Sequence, residues 1–171
     1  MEILAYILAG GKNSRLYKKL VYDLQIAQDV IAYQYNLKVG GSFIIEATAS
    51  EGVSLEKIKE EIQKEINIIK ENPPSKRELE RAVNQFESAF LNNLESVGGF
   101  GGKADLLNQF YFYTGNPDYF NESIARYRAV SEKDIQTYAV SYLKDNGRVV
   151  LSVVPEGKTD LAVKQNTKEV K

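Results

Sequence analysis

The spacing of the hydrophobic residues switches from helical to alternating early in the chain, and this switch limits the folds that are open to it. Apolar and polar residues alternate over residues 31–37 and again over residues 43–49, and Gly40-Gly41 lies between the two runs. Alternation with a period of two is typical of strands, and glycines between two such runs favour a turn. We therefore predict an antiparallel hairpin here.

Helical spacing governs most of the remaining chain. Ser75 with Glu78, and Ser131 with Asp134, form capping boxes that start helices. Gly10-Gly11 is expected to end the first helix, since glycine readily takes the left-handed conformation. The predicted helices cover residues 1–9, 14–24, 54–71, 75–97, 106–113, 119–127 and 131–143.

A third β-rich run, residues 148–154, ends at Pro155 and is predicted to be a strand that joins the hairpin's sheet. Strands that pair as a hairpin, with helices collected in one long run, indicate an α+β fold. We expect two layers, with helices on one face of a largely antiparallel sheet. Residues 1–155 form the predicted domain, and residues 156–171 are expected to be a tail or linker.

The composition excludes several kinds of chemistry. The 171 residues contain no His and no Cys, so the chain alone cannot hold a His-based zinc site, an Fe–S cluster, a thiol nucleophile or a Ser-His-Asp triad. The formal net charge is -1, from 22 Lys and Arg against 23 Asp and Glu, which argues against nucleic acid as a partner. Without Cys, the sequence favours neither an oxidising nor a reducing compartment.

Two further features of the sequence resemble ligand sites, but their surroundings favour structural roles. The acids Glu60-Glu61, like Glu78 and Glu80, fall on solvated helix faces with no His to complete a metal site. The glycines in residues 98–102 follow a helix rather than a strand, which favours a helix break over a phosphate-binding loop. We therefore predict neither a catalytic residue nor a metal ligand in this chain.

The first nine residues are apolar, but they are too few to span a bilayer, and we predict no membrane span. A helix that begins at Met1 has no capping residue before it. We therefore expect the chain to be part of a longer polypeptide.

The aromatic residues, 11 Tyr and 7 Phe, are expected to lie mostly in the core, because no Trp is present and they are the largest apolar side chains available. Residues 110–113 are four consecutive aromatics, which cannot all face inward on one helix. One or two of their rings are expected to reach an interface or a substrate.

Seven motifs together resemble the pitrilysin/insulinase family of zinc metallopeptidases. They are residues 10–17 (GGKNSRLY), residues 20–27 (LxxxxQIA), Phe43 with Ile45, residues 74–82 (PSxxELxRA), residues 99–105 (GFGGKAD), Gly115-Asn116-Pro117 and residues 129–135 (AVSxxDI). The combination covers the chain to about Pro155. It is similar to the family's non-catalytic C-terminal domain without its first strand.

The resemblance implies a half-shell domain of the mitochondrial-processing-peptidase-like type. In that family two similar α+β domains, on one chain or on two subunits, form a half-shell, and paired half-shells close over a peptide. Zinc binds the catalytic domain through an inverted His-x-x-Glu-His motif. The resemblance therefore implies zinc in the missing catalytic domain and no cofactor here. The implied partners are that N-terminal catalytic domain or a partner subunit, and a peptide substrate; exposed aromatics also predict self-association.

Two substrate-touching positions of the family map onto this sequence by resemblance. Many members place an Arg near the end of the first amphipathic helix and a Tyr at the start of the next strand, where this chain has Val21 and Gln28. Gln28 either donates a hydrogen bond to a peptide carbonyl or serves only structure, and Arg15 faces either substrate or the helix surface. Gln28 and Arg15 are the candidate substrate-binding residues.

The resemblance predicts the substrate-enclosing, catalytically silent C-terminal domain of a bacterial zinc metalloendopeptidase, in either the periplasm or the cytoplasm. The alternative is a scaffold or partner subunit whose parent chain has no zinc motif. The loss of the family's Arg and Tyr at Val21 and Gln28 is compatible with a scaffold. A third alternative, an unrelated α+β binding module, requires every motif match to be accidental.

Overall fold

The structure of the protein is a computed structural model that describes residues 1–164. It confirms the α+β prediction, with an antiparallel hairpin and helices packed on one side of it. The elements in chain order are α1 (Glu2–Ala9), a π-helical segment (Tyr17–Asp23), β1 (Ala27–Asn36), β2 (Gly41–Ala49), α2 (Leu55–Glu71), α3 (Lys76–Asn93), α4 (Lys103–Thr114), α5 (Phe120–Arg128) and α6 (Glu132–Tyr142), followed by 3-10 turns at Asp145–Gly147 and Thr159–Leu161.

Helix α1 lies at the centre of the core and packs against α3, β1 and α6. Six of its eight residues are buried, because it is apolar on every side except for Glu2. The helix ends at Gly10, where a side chain is excluded: a Cβ atom there would lie 2.5 Å from the carbonyl oxygen of Tyr6. The Gln85 side chain of α3 donates to the Gly10 carbonyl at 2.9 Å, which ties the helix end to its neighbour.

The hairpin is antiparallel, with Ala32 opposite Ile45 and Tyr33 opposite Ile44. Val30 is buried, and Ala32 and Ile45 pack partly buried against the core. Because side chains alternate across a strand, the residues between them point to the opposite face. The hairpin therefore has an inner face on the helices and an outer face that no helix of residues 1–164 covers.

The predicted capping boxes are present at the starts of α3 and α6. The Ser75 side chain accepts from the Glu78 N–H while the Glu78 carboxylate accepts from the Ser75 N–H, and Ser131 with Asp134 repeats this arrangement. Helix α4 ends at Gly115, whose φ of 75° lies in the left-handed region. The local start and stop signals thus fix these boundaries as predicted.

Aromatic rings pack between α3, α4 and α5. Phe86 stacks on Tyr127 with ring centroids 3.6 Å apart, and Phe110 meets Phe120 edge to face at 5.0 Å. The expectation that most aromatics lie in the core is wrong for tyrosine. Seven of the eleven are exposed, because a phenol hydroxyl keeps its solvation at the surface: Tyr22, Tyr33, Tyr35, Tyr111, Tyr113, Tyr138 and Tyr142.

The predicted third strand is wrong. Residues 148–154 form neither a strand nor a helix, and among residues 1–164 the sheet has two strands. A β-rich sequence becomes a strand only where a neighbour supplies the ladder hydrogen bonds, and the hairpin does not supply them here. The chain instead follows α2, where the Arg148 guanidinium donates to Gln63 and the Lys164 N–H donates to Glu56.

Two helical predictions also need correction. The amphipathic helix predicted from Ser14 is π-helical over Tyr17–Asp23, and the Ser14 hydroxyl donates to the Gly11 carbonyl instead of capping the helix. Helix α3 ends at Asn93, four residues before Val97, because the glycine-rich loop that follows begins to turn there. The predicted tail is described only over residues 156–164, and residues 165–171 lie outside the described residues.

Candidate functional site

Backbone irregularities cluster where the first helical region meets the hairpin. In the π-helical segment, the Leu24 N–H donates to the Lys19 carbonyl, five residues earlier, at 3.0 Å. Gln25 follows with a φ of 52°, and it is the one non-glycine residue with positive φ among residues 1–164. Rare conformations of this kind cost energy and concentrate at functional sites. The junction is therefore the first part of the candidate site.

Gln28 is the third irregularity in this junction. Ala27 pairs with Ala49 and Asp29 pairs with Thr48, so Gln28 is the extra residue of a β-bulge at the start of β1. Its side chain is exposed, whereas Val21 is half-buried and packs against the core. Since a bulge re-aims the side chain that it carries, the structure presents Gln28 to solvent and withdraws Val21.

Arg15 lies in a different place and makes a structural ion pair. Its Nε donates to Glu78 Oε1 at 2.7 Å and its Nη2 donates to Glu78 Oε2 at 3.1 Å, a bidentate arrangement. Partial burial alone would raise the pKa of the Glu78 carboxyl, but hydrogen bonds from Arg15 and Ser75 lower that pKa to about 2. The pair joins the start of α3 to the segment after α1.

The Arg15–Glu78 pair lines an open groove of about 1000 Å³ beside α3. Three further cationic side chains line the groove: Lys18, Arg77 and Arg81. Glu80 is the second acidic side chain in its lining. Most of the residues that line the groove are polar or charged and the groove is wide open, unlike the enclosed cavities that bind small molecules. Gln28 is not part of this groove, so the structure does not bring the two candidate residues into one pocket.

The outer face of the hairpin is the second part of the candidate site. Ile31, Tyr33 and Tyr35 of β1 are exposed, and Ile44 of β2 lies opposite Tyr33. The one acid beside Tyr33, Glu46, accepts a hydrogen bond from the Tyr33 hydroxyl at 2.6 Å. That bond raises the pKa of Tyr33, so its phenol stays neutral beside the apolar side chains of this face.

The alternation in the sequence revealed that Ile31, Tyr33 and Tyr35 share one side, but not that this side faces solvent. Burial of Val30 and Ala32, the smaller residues, decides the orientation of the hairpin. The bulge at Gln28 and the positive φ at Gln25 left no sequence signal, since neither residue is glycine. Their only hint was their position inside the LxxxxQIA motif and directly after it.

The glycine-rich loop between α3 and α4 already contains an anionic partner. The Asp105 carboxylate accepts from the Gly101 N–H at 2.8 Å, as a carboxylate at a helix start often does. A helix break therefore describes residues 98–102 better than a phosphate cradle.

Within residues 1–164, no three acidic side chains come together in a way that could hold a metal ion. Zinc favours His and Cys ligands, and the sequence has neither, so the residues of this chain do not fit a zinc ion. No helix in the same range has the length and apolar character to cross a bilayer.

Comparison with solved structures finds the same fold in bacterial proteins. The chain matches a protease from Helicobacter pylori with a TM-score of 0.71 and 22% identity, covering 85% of this chain and 34% of that chain. A proposed zinc protease from Bordetella pertussis matches with a TM-score of 0.72 and 24% identity, covering 86% of this chain and 78% of that chain. The inactive peptidase domain of a proposed zinc protease from Bordetella parapertussis gives the same values.

These identities show a shared fold, and the chain spans about a third of the Helicobacter pylori chain. No curated protein matches the sequence. The sequence profile of the peptidase M16 inactive domain, in contrast, matches residues 1–86, half of the 171 residues. This match includes α1, the irregular junction, the hairpin and most of α3, and it confirms the predicted non-catalytic domain. The chain belongs to the peptidase M16 inactive-domain family.

Proposed function

We propose that this chain is the substrate-enclosing, catalytically silent domain of a zinc metalloendopeptidase of bacterial origin. It forms part of the wall against which an extended peptide lies while a separate catalytic domain hydrolyses it. In this proposal residues 1–155 form the wall domain and the residues after them form a tail or linker.

The uncovered outer face of the hairpin carries the proposal. Within residues 1–164 the helices pack on the inner face, and the outer face carries the exposed Ile31, Tyr33 and Tyr35, with the half-buried Ile44 opposite Tyr33. Exposed aromatic and aliphatic side chains in one patch mark an interaction surface, and they bind extended peptides without demanding one sequence. Without this exposed apolar face, the domain would lack a surface on which to bind an extended peptide.

Gln28 and Arg15 have different parts in this proposal. The exposed amide of Gln28, raised on its bulge, can donate to a peptide carbonyl and accept from a peptide N–H. Arg15 has its Nε and Nη2 occupied by Glu78, so its role is to fix the start of α3 to the segment after α1 at the edge of the groove.

Zinc belongs, in this proposal, to the catalytic domain and not to this chain. When bound there it activates water for attack on the peptide bond. The residues of this chain bind and orient the peptide and limit its access to water.

The test is a titration of isotopically labelled protein with an unstructured peptide, followed by amide chemical shifts. We expect shifts at residues 28–35 and 42–46, and no peptide cleavage with or without added zinc. Tyr35→Ser is expected to weaken binding severalfold, since stacking and apolar contact are lost. Tyr142→Ser on α6 is the matched control, because Tyr142 is also exposed but lies outside the hairpin.

Equal binding by the Tyr35 and Tyr142 variants would overturn the peptide-wall proposal. Cleavage of the peptide that a chelator abolishes would overturn the silent part of it. The alternative is a scaffold or partner subunit whose parent has no zinc motif, and Val21 and Gln28, which stand where the family has Arg and Tyr, are compatible with the scaffold. It predicts no peptide binding by the hairpin at all.

A further inference from the structure

The open groove beside α3 carries an excess of positive charge. Four cationic side chains line it against two acidic ones, Glu78 and Glu80, whereas the whole chain has a formal net charge of -1. Neutral side-chain amides and hydroxyls also line it: Asn13, Asn84, Ser75 and Ser88. The groove therefore presents positive charge together with groups that both donate and accept hydrogen bonds.

Both acids of the groove already have cationic partners. The two carboxylate oxygens of Glu78 accept hydrogen bonds from Arg15, and Oε2 also accepts from the hydroxyl and N–H of Ser75. The Glu80 carboxylate lies 3.8 Å from the ammonium of Lys76, which is outside the groove lining. These two acids therefore do not neutralise the other cations of the groove.

The other cations are Lys18, Arg77 and Arg81, and none of them forms an ion pair with an acidic side chain of residues 1–164. Arg77 and Arg81 are four residues apart on α3, so their side chains are neighbours on one face of the helix. Like charges at this spacing destabilise a helix. The arrangement therefore costs stability, and a bound anion removes that cost.

Internal segments of the chain build the cationic part of the groove. It lies between the segment after α1 and the start of α3, whereas Met1 is at the other end of α1, about 12 Å along the helix axis. The N–H of Lys164 donates to Glu56 at the start of α2, and the length of α2, about 25 Å, separates that point from the start of α3. Both ends of residues 1–164 are therefore distant from these cations.

We propose that this groove binds an extended peptide segment rich in Asp and Glu. Arg77, Arg81, Asn84 and Ser88 follow at intervals of four, three and four residues, so they form one stripe along α3. The stripe is about 16 Å long, which matches about five residues of extended peptide. Its arginines pair with carboxylates, and its amide and hydroxyl groups pair with the peptide backbone. This extends the proposed peptide-binding role to a second surface and does not depend on the hairpin face.

The mixed lining favours a peptide over a nucleic acid. Glu78 and Glu80 lie between Arg77 and Arg81 in sequence, and they would repel an unbroken row of phosphates. A peptide can space its carboxylates to avoid them. The side chains of Asn84 and Ser88 both donate and accept hydrogen bonds, which suits peptide N–H and C=O groups, whereas phosphate oxygens only accept.

The test measures binding of fluorescein-labelled hexaglutamate to the full 171-residue chain by fluorescence anisotropy, with hexaglutamine as the uncharged control. We expect hexaglutamate alone to bind, and its affinity to fall as salt is added, because salt screens exposed charges. The double variant Arg77→Gln with Arg81→Gln is expected to weaken binding by about fivefold or more.

The matched control is the double variant Arg126→Gln with Arg128→Gln on α5. It removes the same number of positive charges from exposed residues outside the groove, so affinity is expected to stay within about twofold of the unmodified chain. Tyr35→Ser, which tests the hairpin face, is also expected to leave hexaglutamate binding unchanged. The groove and the hairpin can therefore fail independently, and circular dichroism shows that each variant folds.

Four results would overturn the proposal. Equal weakening by the two double variants would show that only the overall charge matters. Equal binding of hexaglutamate and hexaglutamine would remove the preference for acidic peptides. Loss of hexaglutamate binding in the Tyr35→Ser variant would place the peptide on the hairpin. A thymidine hexanucleotide that binds more tightly than hexaglutamate, and competes with it, would make nucleic acid the occupant.

Discussion

Helices α1 and α4 each contain seven apolar or aromatic residues, among eight and twelve residues respectively, but their surroundings are opposite. Six of the eight residues of α1 are buried, whereas none of the twelve residues of α4 is. In α1 the apolar residues occupy every direction around the axis. In α4 four aromatics follow one another in residues 110–113, and successive side chains on a helix point about 100° apart, so only Phe110 reaches the core.

This difference teaches that apolar content alone does not place a helix. The directions of the apolar side chains and the elements that surround the helix decide how much of it is buried. Helix α1 is enclosed by α3, β1 and α6. Helix α4 packs through Leu106 and Phe110, and its next three aromatic residues, Tyr111, Phe112 and Tyr113, are exposed to solvent. The α1 region therefore contributes most to stability, and the exposed aromatic side chains of α4 are available for contacts with other molecules. Substitutions in α1 should therefore cost more stability than matched substitutions in α4.

The largest effect is expected from a matched pair of Leu→Ala substitutions. Leu8 in α1 is fully buried, and Leu107 in α4 is 38% exposed. Leu8→Ala is expected to lower the free energy of unfolding by about 2–5 kcal/mol, and Leu107→Ala by less than about 1 kcal/mol, because only the first leaves a cavity. Urea denaturation measures both, and equal losses would contradict the division.

A second comparison uses the glycines that end the two helices. A Cβ at Gly10 would meet the Tyr6 carbonyl oxygen at 2.5 Å, so Gly10→Ala forces the backbone apart and is expected to cost about 2–3 kcal/mol. Gly115 after α4 has no atom within 4 Å of an added Cβ, but its φ is 75°. Gly115→Ala is expected to cost about 1 kcal/mol from backbone strain alone. Thermal unfolding of both variants measures the difference, and the melting temperature is expected to fall further for Gly10→Ala than for Gly115→Ala.

The third prediction concerns pH. Since the pKa of Glu78 falls from its ordinary 4.5 to about 2 on folding, its charge stabilises the protein above about pH 4.5, and that contribution is lost as the pH falls to about 2. Glu78→Gln is expected to remove about 1–2 kcal/mol at pH 7 and to flatten the acid limb of the stability curve.

The matched control for Glu78 is Glu87, which pairs with Arg128 of α5 and whose pKa is lowered by that hydrogen bond. Arg128 is largely exposed, so Glu87→Gln is expected to change both stability and its pH dependence less. Unfolding followed by urea between pH 2 and pH 7 separates the two variants. An unchanged acid limb in the Glu78 variant would show that other carboxylates control acid unfolding.

The smallest effect is expected at the outer side of α4. Tyr111 is 64% exposed, so Tyr111→Ala is expected to change the free energy of unfolding by no more than about 0.5 kcal/mol. A loss several times larger, measured in the same urea series, would show that α4 carries stability after all.

The local signals in the sequence predicted much of this fold. Capping boxes at Ser75 and Ser131 and the glycine at 115 set helix boundaries that depend on a few neighbouring atoms, and those boundaries are confirmed. Features that depend on distant partners were predicted less well. Whether residues 148–154 become a strand depends on a strand beside them, which no local pattern encodes.

The candidate site divides in the same way. The resemblance led to Gln28, and the structure places it on a bulge, but its contact with substrate stays a prediction. The ion pair of Arg15 with Glu78 joins residues 63 positions apart, and spacing along the chain gave no sign of it. The outward orientation of Tyr33 and Tyr35 required knowing what packs on the other side of the sheet.

The central position of α1 also determines when the protein can fold during synthesis. Its partners lie far along the chain: Gln85 reaches Gly10, Tyr127 donates to Glu2, and α6 packs on α1 after residue 132. A ribosome adds roughly 5–20 residues per second, so the most apolar helix waits on the order of ten seconds for them. During that interval its surface is open to chaperones, and α6, which emerges well after α1, completes the core around it.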